Sequence, residues 1–180
     1  MSDPALDRFV AALRADWGPI STELVARCRA HLDALTDANP SEEWLQDLLA
    51  ERPATRELHR EAANGFMLLA HSEQQDLYRP PHDHGRAWVA YGVQSGELEI
   101  GNFVRVADDP GHRLVRRETV VLRPGEARAY LPGDIHDTRC LTPNALVLRF
   151  TERDLRHEDQ VEHMVSRFVE REGQWLSARP

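Results

Sequence analysis

The feature that most constrains this chain is a change of texture near residue 64. Before it, apolar residues recur at helical spacing; after it, short runs rich in Val, Leu, Tyr and Phe alternate with Gly, Pro and Asp. Leu6, Phe9, Val10 and Leu13 make one stripe, broken by Gly18-Pro19. Ser21 or Thr22 caps a second helix to about Leu35. A third follows Asn39-Pro40-Ser41, carries Trp44, Leu45, Leu48 and Leu49, and stops at Pro53. Strands are predicted over Phe66–Ser72, Ala87–Gln94, Glu97–Arg105, Val115–Leu122, Glu126–Leu131, Asp137–Cys140 and Ala145–Thr151. Gln94-Ser95-Gly96 and Asp108-Asp109-Pro110-Gly111 supply turn chemistry between them. A last amphipathic helix is predicted over Glu158 to Glu170, with Val161, Met164, Val165, Phe168 and Val169 on one side. The pattern reads as one domain over 1–180, with a helical segment at 1–53, a β-barrel at 64–151 and a terminal helix within 155–171.

Bulk properties exclude several partners. A formal charge of −8 and the lack of a dense basic cluster argue against nucleic acid, which demands a cationic surface. The stretch Arg113 to Arg117 is interrupted by Leu114 and Val115 and reads as a strand with one solvated face. The longest apolar run, Phe66 to Ala70, is too short to span a bilayer, and Met1-Ser2-Asp3-Pro4 has no secretory pattern. Cys28 and Cys140 form no spaced cluster and read as reduced thiols, so a cytoplasmic setting is expected. Monomer and homodimer stay equally open.

Chemistry concentrates in histidine. In His82-Asp83-His84 two imidazoles occupy alternate positions, which on extended backbone point to one face. Arg79-Pro80-Pro81 precedes them and Gly85 follows. A third candidate is His136, in Pro132-Gly133-Asp134-Ile135-His136. Neutral imidazole suits iron, zinc, copper and nickel, and three of them leave coordination positions open. A lone His-x-His is as readily a surface pair; its conjunction with Pro-Gly-x-x-His is what favours a metal.

These motifs, with Gly96 closing the hairpin after the first, resemble the two cupin motifs. From Thr55 to Phe150 the chain is similar to the cysteine dioxygenase family of thiol dioxygenases: Thr55-Arg56-Glu57-Leu58, Asn64-Gly65-Phe66 and Pro81-His82-Asp83-His84 follow in the same order and spacing. The resemblance implies a cupin double-stranded β-helix, a jelly-roll barrel with helices before it and one after. It implies iron(II) on His82, His84 and His136, with nickel, manganese and zinc as alternatives. It implies oxidation of a small organic thiol, cysteine-like or 3-mercaptopropionate-like, by molecular oxygen to the sulfinate. Arg56 matches the arginine that grips the substrate carboxylate; Arg86, two residues beyond His84, competes unless Gly85 disturbs the register.

Departures from the family are equally plain. Ala87, Trp88 and Val89 stand where cupins usually place a glutamate ligand, which favours a three-histidine site. The family's Ser-His-Tyr triad is absent from Val147-Leu148-Arg149-Phe150-Thr151, and no cysteine lies near Val89. Tyr130 or Tyr91 is left to supply a hydroxyl, and only Tyr130 shares strand parity with His136. Trp88, Phe103, Met67 and Leu69 are either apolar walls or plain core, and Cys140 reads as a buried structural thiol. His71 ends a strand entering the barrel and stays outside the candidate site. Two other readings remain open: a different metal-dependent cupin enzyme (dioxygenase, isomerase or lyase on a small organic acid), and a non-catalytic metabolite-binding cupin.

Overall fold

The computed structural model describes residues 4–108 and 111–178. The predicted turn at Asp109-Pro110 therefore lies outside the described residues. Three helices come first: α1 (Ala5–Asp16), α2 (Thr22–Thr36) and α3 (Glu43–Glu51). The Ser21 hydroxyl accepts from the Leu24 N–H, so one of the donors left orphaned at the start of α2 is satisfied. Helix α3 ends at Arg52, in the left-handed region at φ 47°, immediately before Pro53.

Nine strands follow: β1 (Arg56–Arg60), β2 (Met67–Gln74), β3 (Tyr78–His82), β4 (Val89–Ser95), β5 (Leu98–Asp108), β6 (Gly111–Leu122), β7 (Glu126–Tyr130), β8 (Ile135–Cys140) and β9 (Asn144–Thr151). They form two antiparallel sheets, ordered β1-β2-β9-β4-β7 and β3-β8-β5-β6. With β1 set aside as an added edge, β2 to β9 alternate between the sheets except at the β5–β6 hairpin, in the order of two Greek keys. That is a jelly roll, the double-stranded β-helix of cupins.

Period-two alternation decides what each strand buries. On the sheet containing β2, β4 and β9, the outer face presents Leu68, Ala70, Trp88, Ala90, Leu148 and Phe150 to the helices, where they meet Leu13, Leu32 and Leu35. Each fully buried Leu or Phe there contributes roughly 2 kcal/mol. Helix α2 lies so close to β4 that a Cβ on Gly92 would fall 2.7 Å from Thr36 Cγ2. The alternate residues, Val89, Tyr91, Val93 and Val147, point into the barrel. Cys28 and Cys140 are both free and buried, and the Cys140 thiol donates to the Thr142 carbonyl.

Two expectations are corrected. Arg56–Arg60, upstream of the expected start of the barrel at residue 64, is already a strand, paired with β2. The C-terminal helix is also much shorter: α4 covers only Leu155–Gln160, and a hairpin of β10 (Phe168–Arg171) and β11 (Gln174–Ser177) follows. The apparent helical stripe is split, because Val161 and Met164 are exposed while Val165 and Phe168 are buried. Phe168 packs with Phe103, Leu114 and Ile135 beneath the barrel, a position a continuing helix would not deliver. Glu172-Gly173, both with positive φ, form the two-residue turn that right-handed strand twist prefers.

Among the described residues, no helix is long and apolar enough to cross a membrane.

Candidate metal centre

The three histidines converge. One ring nitrogen from each of His82, His84 and His136 can be chosen so that all lie within 4.8 Å of one another, and among the described residues no carboxylate joins the group. The convergence is built by pairing: β3 lies beside β8, and His82 sits directly opposite His136. Pro80 and Pro81 are tolerated because β3 is an edge strand, with a register irregularity between Arg79 and His82. Strand β3 ends at His82, yet the i, i+2 alternation persists. Asp83 points away, its carboxylate accepting from the N–H groups of Gly85 and Ser166, while His84 turns back inward.

Individual atoms are set for ligation. His82 Nδ1 donates to the Pro80 carbonyl at 2.8 Å, which fixes its tautomer and leaves the Nε2 lone pair free. His84 Nε2 and His136 Nε2 lie 3.4 Å apart. Two nitrogens each about 2.1 Å from one ion would sit roughly 3.0–3.4 Å apart, so this donor pair fits a first-row divalent metal. Burial holds all three imidazoles below the ordinary histidine range, His84 and His136 well below it. His82 adds to the lowering at the other two, because like charges disfavour one another. The rings are therefore neutral at pH 7, the form a cation requires.

The hydroxyl beside this trio is that of Tyr91. It lies 3.1 Å from His84 Nε2 and 3.4 Å from His136 Nε2. Tyr130 packs its ring against His136, centroids 4.2 Å apart, but its buried hydroxyl has no hydrogen-bond partner among the described residues. Parity along the chain does not carry through the Leu131–Asp134 turn from one sheet to the other, so it could not select between the tyrosines.

Neither candidate arginine lines the cavity at the histidines. Arg56 reaches back to Glu51 on α3. Arg86 follows Gly85, whose φ of +62° breaks the strand register, and it turns outward onto Glu158 and Glu162. The cavity itself is about 550 Å³ and is bordered by His82, His84, Arg79, Arg149, Leu155, Val165 and Phe168. A second cavity of about 450 Å³ adjoins it, sharing Arg79, Arg149, Leu155 and Arg156, and is lined further by Met67, Leu69, His71 and Thr151. Met67 and Leu69 are thus walls, whereas Trp88 belongs to the helix-facing core and Phe103 to the cluster under the hairpin.

Sequence reasoning missed Arg149 as a cavity residue and set His71 aside. Their signal was parity: Arg149 is paired with Leu69 and Tyr91, both inward-facing, and an arginine on an inward position of a barrel strand asks for a partner. The C-terminal segment caps the site. Asp83 N–H donates to the Ser166 carbonyl, Arg167 bridges His82, and Val165 and Phe168 wall the cavity.

No family model matches the chain. No curated protein matches it either. Among solved structures, the chain is similar to KdgF from Halomonas sp. at 20% identity, with 54% of this chain and 74% of that one covered and a TM-score of 0.43. The cupin domain of Schizosaccharomyces pombe Cnp3 aligns at 9% identity over 61% of this chain and 70% of that one, TM-score 0.44. A double-stranded β-helix protein of Klebsiella pneumoniae aligns at 14% over 53% and 67%, TM-score 0.41. The double-stranded β-helix of this chain rests on its own strand order, and its three-histidine group is one that could hold a metal ion.

Proposed function

We propose that this chain is a metal-dependent dioxygenase that converts a small organic thiol to its sulfinate, with iron(II) held by His82, His84 and His136. The observation that carries the reading is the ligand set: three neutral imidazoles with no carboxylate among them, at a cavity bordered by guanidinium groups. Such a set leaves the ion's full charge to attract an anionic sulfur. Bound there, the metal would supply Lewis-acid and redox chemistry toward thiolate and dioxygen. In the overall reaction a thiolate and one dioxygen give one sulfinate, both oxygen atoms ending on sulfur.

The chain's own residues contribute position and environment. Neutral His82, His84 and His136 hold the reacting centre. The Tyr91 hydroxyl stands 3.1 Å from His84 Nε2 and 3.4 Å from His136 Nε2; with those lone pairs given to a metal, it would be free to offer a proton or a hydrogen bond to charge developing on sulfur or oxygen. Leu155, Val165 and Phe168 give the cavity an apolar border beside its guanidinium groups. Loading the anaerobic protein with iron(II) and measuring oxygen uptake with cysteine, 3-mercaptopropionate and cysteamine tests the reading. Uptake with sulfinate formation supports it; none with any thiol removes it.

A second reading, a metal-dependent cupin enzyme acting on a small organic acid without thiol chemistry, draws on one observation. Arg149 and Thr151 stand where the resembled family carries part of its Ser-His-Tyr triad. Nickel, manganese or zinc rather than iron in the purified protein would favour it.

A further inference from the structure

We propose that Arg149, assisted by Thr151, is the carboxylate anchor of this site, so that the substrate is a short carboxylic acid bearing its reacting group a few atoms away. The assignment rests on the histidine trio as the reacting centre. Arg149 borders both adjoining cavities, whereas Arg56 and Arg86 border neither. On β9 it pairs with Tyr91, the residue whose hydroxyl touches His84 and His136, so its guanidinium stands one strand away from the histidines.

Unmet hydrogen-bonding capacity marks the spot. Among the described residues, buried Arg149 Nε and Thr151 Oγ1 have no hydrogen-bond partner, and both residues line the second cavity. They are two apart on β9 and so share its inward face. His71, diagonal to Arg149 across the β2–β9 pair, borders the same space with an unpartnered Nε2. Leaving a buried donor unmet costs about 1–3 kcal/mol, more for a charged group, so such a cluster is an incomplete site.

Charge gives the ligand its sign. Among the described residues, the carboxylates that line these cavities or lie behind them each have a cationic partner: Glu73 with Arg79 through Oε1 (its Oε2 is unpartnered), Asp159 with Arg167, and Asp154 and Glu57 with Arg60. Arg149 forms no ion pair with a described carboxylate, although Glu73 is near enough to feel its field. A planar guanidinium with a neighbouring hydroxyl matches a carboxylate, and an ammonium group finds among the described residues here only acids that already have a cationic partner.

The test is calorimetric titration of the full-length protein loaded with cobalt(II), under anaerobic conditions, with 3-mercaptopropionate and with cysteamine. Arg149→Met is expected to weaken 3-mercaptopropionate binding by about ten- to a hundredfold and to change cysteamine binding less than about twofold. Thr151→Val, nearly isosteric and safe for folding, is expected to weaken only the acid, by about three- to tenfold. Equal losses for both ligands, no loss for either, or no binding of the acid to the wild type would overturn the anchor. If iron(II)-loaded wild type oxidises no thiol while the Arg149-dependent discrimination persists, the thiol reading fails and the anchor stands.

Discussion

His84 Nε2 and His136 Nε2 lie 3.4 Å apart, although 52 residues separate them in the chain. The contact exists because β3 and β8 are neighbours in one sheet and His84 folds back just beyond the end of β3. Two buried imidazole nitrogens at this distance need a shared proton or a shared cation.

Metal removal tests that directly. The wild-type protein should bind one equivalent of divalent metal and gain about 2.7 kcal/mol at a free-metal level a hundred times Kd, a gain that chelator abolishes. His84→Ala should lose the metal and this increment while keeping the fold, checked by elemental analysis and thermal unfolding with and without metal.

The two tyrosines should separate function from packing. Tyr91→Phe removes the hydroxyl at the ligating nitrogens and is expected to lower kcat by about ten- to a hundredfold with metal retained. Tyr130→Phe removes a buried hydroxyl with no partner, so stability should hold or rise by about 1 kcal/mol and turnover should hardly change. Steady-state kinetics beside urea unfolding reads both.

Gly85 holds the histidine loop against the cap. A Cβ there would meet Glu158 Oε1 at 2.8 Å and Met164 Cβ at 2.9 Å, and its φ is +62°. Gly85→Ala should destabilise by about 2–3 kcal/mol and loosen residues beyond Asp154, seen as a lower Tm and faster proteolysis of the C-terminal segment.

Glu158 is 1% exposed and accepts from Arg86 at the backbone N–H, Nε and Nη2. Glu158→Gln keeps the shape and removes the charge that the guanidinium faces. Because Arg86 is half-exposed, the loss should be about 1–2 kcal/mol, measured by chemical denaturation.

Acid sensitivity should trace in part to His71, whose burial lowers its pKa to about 3, with Arg149 and Arg79 adding to the effect. Below pH 6.5 the unfolded chain takes up a proton that the folded chain refuses until about pH 3, so stability falls with pH throughout that window. In the metal-free protein, His71→Gln should reduce the loss between pH 7 and pH 5 by about 1–2 kcal/mol, read from urea midpoints at the two pH values.

Local signals carried much of this molecule. The helical stripes at Leu6–Leu13 and Trp44–Leu49, the period-two runs from Phe66 to Thr151 and the paired histidine motifs are properties of short windows, so they can be read without coordinates. The jelly-roll class and the trio His82, His84 and His136 followed from them and from the family resemblance. What no window contains is which side chains meet across strands. The Tyr91 hydroxyl, not that of Tyr130, meets the histidine nitrogens, because β4 and β7 lie in one sheet and β8 in the other and chain parity does not carry between them. Arg56 and Arg86 were drawn off by Glu51 and Glu158, and Arg149 was left facing the cavity without an acid. The segment Val161–Val169, helical by its spacing, instead leads into the β10–β11 hairpin, and that path buries Phe168 against Phe103 and Ile135. Spacing along a chain determines which residues share a face; only the pairing of distant strands decides what that face confronts.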